Sequence, residues 1–121
     1  MNIMFFGITQ QKSGESTQKP DDTTFQIQIE TSSPSQSITI PHLSGYSYNY
    51  SISYGDQTPI NVVTVYNDTG CTHIYDSIGV YNISISGICE TLYINNGSIK
   101  NNIIKILKWG NVGLKRVNFY G

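Results

Sequence analysis

Alanine is absent from all 121 residues, and Asp, Glu, Lys and Arg together make up only 12% of the chain, about half the usual ~25% share. Both shortages argue against helices, because Ala and the long charged side chains are the strong helix formers. No segment repeats an apolar residue at helical spacing. Signatures of chemistry are missing as well. There is no Gly-x-Ser-x-Gly elbow for a serine nucleophile, and no Gly-x-Gly-x-x-Gly or Walker loop to cradle phosphates. No His-x-His or Cys-x-x-Cys spacing suggests zinc. His42 and His73 are the only imidazoles. These gaps lead to the expectation of a protein that is not an enzyme, with no cofactor and no metal.

Cysteine is sparse too. Cys71 and Cys89 are too few for a disulfide framework, and they are expected to stay unpaired. The net charge of −1 gives no field that would favour nucleic acid or membrane. No stretch approaches the ~20 apolar residues of a transmembrane helix. Met1 to Ile8 is apolar, but it lacks the basic start, the long apolar run and the small-residue cleavage site of a signal peptide. Charge is nevertheless uneven. Residues 91–121 carry Lys100, Lys105, Lys108, Lys115 and Arg116 and no acid, whereas the rest of the chain holds Lys12 and Lys19 against all eight carboxylates. The basic end is read as a solvated face, with an oriented contact surface as the other reading.

What fills the chain is Asn, Ser, Thr, Gly, Ile and Tyr, a set suited to strands and turns. Its length is that of one domain. Residues 9–24 contain no large apolar side chain and cannot bury a face of their own. Residues 1–22 therefore read as an extended N-terminal arm with an apolar tip, Ile3, Phe5, Phe6 and Ile8, which is expected to bind a partner. From residue 23 onward the apolar period is two, which marks half-buried strands. Phe25, Ile27 and Ile29 alternate with polar residues, as do Ile38 and Ile40. Tyr46, Tyr48, Tyr50, Ile52 and Tyr54 form the longest alternating run. Val62, Val63 and Val65 follow, then Tyr81, Ile83 and Ile85, closed by Gly87, and then Leu92 and Ile94. Ile103 to Trp109 and Val112 to Tyr120 are the last strand candidates. Short strands at this spacing predict an antiparallel β-sandwich over residues 23–121. Tyr54 and Trp109 are the bulky core candidates, with Tyr75, Ile83 and Ile85.

Two segments carry a family resemblance. Tyr50-Ser51-Ile52-Ser53-Tyr54-Gly55-Asp56-Gln57-Thr58 resembles the strand-and-turn signature of polycystic-kidney-disease (PKD) domains. Thr72 to Ile85 resembles their later signature, His-x-Tyr, three residues, then Gly-x-Tyr and alternating aliphatics. Those motif positions are Tyr54, Gly55, Asp56, Tyr75, Gly79 and Tyr81, with Trp109 in a C-terminal segment similar to PKD-like domains that precede leucine-rich repeats in bacterial surface proteins. Ser53 and Gln57 depart from the pattern, standing where Asp and Gly are usual. The resemblance implies an immunoglobulin-like sandwich that serves as a spacer or adhesive module. Tyr75 is then placed to act like the tyrosine corner of sandwich folds, ring buried and hydroxyl bonded to loop backbone.

Asp56, Asp68 and Asp76 could share one loop end and hold calcium; capping of turns is the other reading of each. The four Asn-x-Ser/Thr matches, at Asn49, Asn67, Asn82 and Asn96, are what abundant Asn produces by chance. Two functions are carried forward. The first is a virion structural protein, an auxiliary or decoration protein of a phage capsid, held to other capsid proteins by its arm. The alternative is a cell-surface adhesion module. Exposed tyrosines would add a host surface or glycan as a further partner.

Overall fold

The computed structural model describes residues 23–94 and 98–119, so the arm with Ile3, Phe5, Phe6 and Ile8 lies outside the described residues. Among the described residues nine strands follow in chain order: β1 (Phe25–Glu30), β2 (Gln36–Thr39), β3 (Tyr48–Ser53), β4 (Asn61–Val63), β5 (Thr72–Tyr75), β6 (Val80–Cys89), β7 (Thr91–Tyr93), β8 (Ile103–Lys108) and β9 (Arg116–Asn118). No α-helix occurs among the described residues. Thr69–Cys71 and Ser98–Asn101 form single 3-10 turns.

The domain is all-β. Five strands form one antiparallel sheet in the order β4-β3-β6-β1-β8. Alternation in the sequence becomes two faces, because successive side chains on a strand point to opposite sides. Phe25, Ile27 and Ile29 of β1, Tyr48, Tyr50 and Ile52 of β3, and Ile83 and Ile85 of β6 are buried on one face. The opposite face shows Gln26, Gln28, Ser51, Ser84 and their neighbours. Ile38 of β2, Tyr75 of β5 and Leu92 of β7 belong to the same buried cluster. This arrangement is consistent with a β-sandwich.

Four expectations are corrected. The elements outside the large sheet do not form a second continuous antiparallel sheet: β2 and β5 pair antiparallel, while β7 and β9 pair in parallel. β7 touches the chain just past β2 through one backbone bond, from the Tyr93 N–H to the Pro41 carbonyl at 3.0 Å, but no ladder continues from it. Strand β6 does not stop at Gly87 but runs on to Cys89. A side chain at Gly87 would place its Cβ 2.5 Å from the Asn49 carbonyl oxygen, and its φ is +122°. Glycine therefore lets β3 and β6 stay paired there instead of ending the strand. Among the described residues the last strand is Arg116–Asn118 and does not begin at Val112. Trp109 is not in the core but 53% exposed. It follows the end of β8, where its ring meets Phe25 (centroids 5.9 Å apart) and Phe119 (5.8 Å, edge-on) while about half of it meets solvent. Cys71 and Cys89 are both free and buried.

Candidate functional site

The two segments that carry the motif meet in one aromatic and polar cluster. Beyond β3 the chain buries Tyr54 completely and then turns at Gly55. A Cβ there would lie 2.4 Å from the Asn82 carbonyl oxygen, and φ is +81°, so only glycine fits. The turn brings Asp56 to β5, where its Oδ2 lies 2.6 Å from His73 Nε2. The His73 ring stacks on Tyr54 at 4.4 Å and 8° between planes. The Thr58 hydroxyl (2.6 Å) and N–H (3.3 Å) both donate to Asp56 Oδ1. Gln57 holds a left-handed conformation, φ +69°, so this turn keeps a glycine-like shape with a side chain in place.

Tyr75 completes the cluster. Its ring is buried edge-on to both Tyr54 and His73, and its hydroxyl donates to the Tyr54 carbonyl at 2.7 Å. Tyr81 lies 4.3 Å from Tyr75, ring to ring, and donates to the Ser77 carbonyl at 2.8 Å. The Gly79 N–H donates to the Thr31 hydroxyl at 2.9 Å, which ties this loop to the end of β1. Tyr54, Gly55, Asp56, Tyr75, Gly79 and Tyr81 are thus brought to one end of the large sheet. Trp109 is not, because it packs on Phe25 at the opposite end of β1.

Electrostatics follow from this packing. Burial opposes charge on Asp56, but the hydrogen bonds from His73 and Thr58 outweigh it and hold the carboxyl below its usual range. His73 and Asp56 side chains are only 13% and 14% exposed. Burial pushes the Tyr54 and Tyr75 phenols well above their usual range. A concavity of about 410 Å3 opens beside the cluster, lined in part by Asp56, Thr58, Asp76 and Tyr81. Both Asp56 oxygens are already engaged by His73 and Thr58. Asp68 is occupied likewise, because its oxygens accept the N–H groups of Gly70 and Thr64, each at 3.0 Å. Capping of turns is therefore what Asp68 does. Among the described residues no group of three His, Cys, Asp or Glu is placed to hold a metal ion.

No family model, curated protein or solved structure matches this chain.

A second polar network was not visible in the sequence. His42 Nδ1 lies 2.6 Å from the Thr91 carbonyl, and Nε2 lies 2.7 Å from the Tyr50 hydroxyl. A carbonyl only accepts, so Nδ1 carries the proton, and Nε2 of the neutral ring accepts from Tyr50. The Tyr50 oxygen also lies 3.6 Å from Cys71 Sγ. The His42 ring packs on Tyr48 at 4.6 Å, whose hydroxyl donates to the Leu43 carbonyl at 2.6 Å. Burial lowers the pKa of His42 against the opposing effect of the Thr91 bond. The only signal in the sequence was a His after Pro41. Its partner Thr91 is 49 residues away, beyond the reach of any local pattern.

Proposed function

We propose that this protein is a non-enzymatic virion structural protein, a PKD-like domain that decorates a phage capsid and is held there by Ile3, Phe5, Phe6 and Ile8 of its arm. The observation that carries the reading is how the polar groups of the site are used. Asp56, His73 and both ring nitrogens of His42 are spent on bonds inside the fold. A catalytic acid, base or nucleophile must instead offer its proton or lone pair to a substrate. The motif residues act as a clasp that fixes loops on a rigid sheet, and a clasp suits a module that presents surfaces. Ile60, Val62, Val65 and Ile74 stand exposed on those surfaces and are available to neighbours.

The test is incorporation. The full chain and a chain lacking residues 1–10 are each expressed while particles assemble, and particles are purified on a density gradient. The full chain should travel with the particles and the truncated chain, still folded by circular dichroism, should not. Truncated protein found on particles, or full chain absent from them, would overturn the reading. Full chain displayed on intact cells instead would favour the adhesion module.

A further inference from the structure

A second concavity, of about 370 Å3, opens where β1 ends and β8 begins. Its apolar wall is Ile78, Ile103 and Ile104, with Ile78 59% and Ile104 46% exposed. Val80, also exposed, pairs with Glu30 at its rim. Backbone bonds fix its polar walls. Thr31 donates to the Ser77 carbonyl at 3.1 Å, and Asn102 donates from its amide to the Glu30 carbonyl at 2.8 Å while its own carbonyl accepts the Glu30 N–H. A preformed hollow with several branched aliphatics facing water suits an apolar occupant.

We infer that this concavity seats the apolar tip of the protein's own N-terminal arm, Ile3 to Ile8, while the protein is unassembled. Length supports this occupant. The arm leaves the domain at Thr23, whose carbonyl accepts the Asn111 N–H at 2.9 Å just past the end of β8. The concavity lies at the other end of β1, a six-residue strand of ~20 Å. Seventeen positions separate Phe6 from Thr23, nearly three times the six residues with which β1 crosses the same distance, so the tip can reach the concavity. A tether long enough to bridge the gap gives an effective concentration on the order of millimolar. That exceeds any free second copy in dilute solution.

Charge and backbone agree with the same path. Strand β8 is the margin of the large sheet, with no strand on its outer side among the described residues. It carries Lys105 and Lys108 between the arm's exit and the concavity, and the arm, with three acids against Lys12 and Lys19, places Asp21 and Asp22 together next to its exit. An arm laid along β8 brings acids to lysines and can pair its backbone with the strand edge. On the capsid reading proposed above, on which this part of the inference rests, a capsid would compete with this hollow for the same four apolar side chains, and the arm's tip stays covered until that site appears.

The test uses the full chain, dilute and free of particles, so its failure is separate from failure of incorporation. Phe5→Cys is combined with Ile78→Cys in one variant and with Ile74→Cys in another, Ile74 being exposed on β5 and outside the lining of the concavity. Under a mild oxidant the first pair should form an internal disulfide at least about tenfold faster than the second, at a rate independent of protein concentration. Phe6→Cys with Ile104→Cys provides an independent pair should the first misfold. Equal rates for the concavity and control pairs would overturn the inference. So would covalent dimers as the main product, which would assign the hollow to a second copy.

Discussion

Removing one oxygen atom at Tyr75 separates a structural clasp from a decorative one. Tyr75 is completely buried, and its hydroxyl donates to the Tyr54 carbonyl at 2.7 Å. Tyr75→Phe keeps the ring against Tyr54, His73 and Tyr81 but takes the donor away from that carbonyl. A buried polar group deprived of its partner costs ~1–3 kcal/mol, whereas Tyr75→Ala also empties the ring's volume and should cost ~3–5 kcal/mol. Tyr81→Phe is the control, because its hydroxyl bond to Ser77 lies at the surface, and a surface change of this kind stays within about 0.5 kcal/mol. Urea unfolding followed by near-ultraviolet circular dichroism measures all three. The slope should be unchanged and only the midpoint should shift. In thermal melts Tyr75→Phe should lower Tm by roughly 4–8 °C for each kcal/mol lost. Equal stabilities for Tyr75→Phe and Tyr81→Phe would refute the clasp, and so would a Tyr75→Ala variant no weaker than Tyr75→Phe.

Other outcomes follow from the same geometry. The depressed pKa of His42 means that the unfolded chain takes up its proton near pH 6.5 while the folded chain resists it. Stability should therefore be full above about pH 7 and fall as the pH drops from there, a slope that His42→Gln flattens; a profile flat from pH 7 to 5 in the natural protein would contradict this. Trp109→Ala should cost only about 1–2 kcal/mol, since half of the ring is already in water, and a loss above about 3 kcal/mol in urea would put it back in the core. Gln57→Gly should leave stability unchanged or raise it by up to about 1 kcal/mol, because glycine accepts the left-handed conformation that Gln57 strains to hold; a clear loss would show that the Gln57 side chain has a bonding role. Burial pushes the Cys71 thiol up and the Cys89 thiol to about 12, so neither should react with a thiol reagent until the protein unfolds, and rapid labelling of the native state would contradict their placement.

Local pattern carried the large sheet. Alternation in Phe25–Ile29, Tyr48–Ile52 and Ile83–Ile85 reports which side chains face inward, and those strands are its centre. The motif spacing likewise marks Tyr54, Asp56 and Tyr75, which the fold brings into one cluster. What pattern could not carry is pairing between distant segments. Nothing local distinguishes the parallel partner of Leu92, which is Val117, from an antiparallel one. Gly87 read as a stop because glycine usually ends strands, and only the closeness of Asn49 shows why a strand needs it there. Trp109 read as core because large aromatics are usually buried, whereas its place just beyond an edge strand leaves half of it outside.

The position of β1 has a mechanical consequence. The arm joins the domain directly at this strand, and β1 is inside the sheet, paired along six residues with β6 on one side and bonded to β8 on the other. A pull on the arm therefore runs along the strand and loads both rows of hydrogen bonds in shear, so that many must yield together. A pull on the C-terminal end meets β9 first, whose pairing with β7 spans only three residues, so few bonds share the load. The domain is thus built to be dragged from its N-terminal side, and under tension it should hold far longer when tethered by its arm than by its tail.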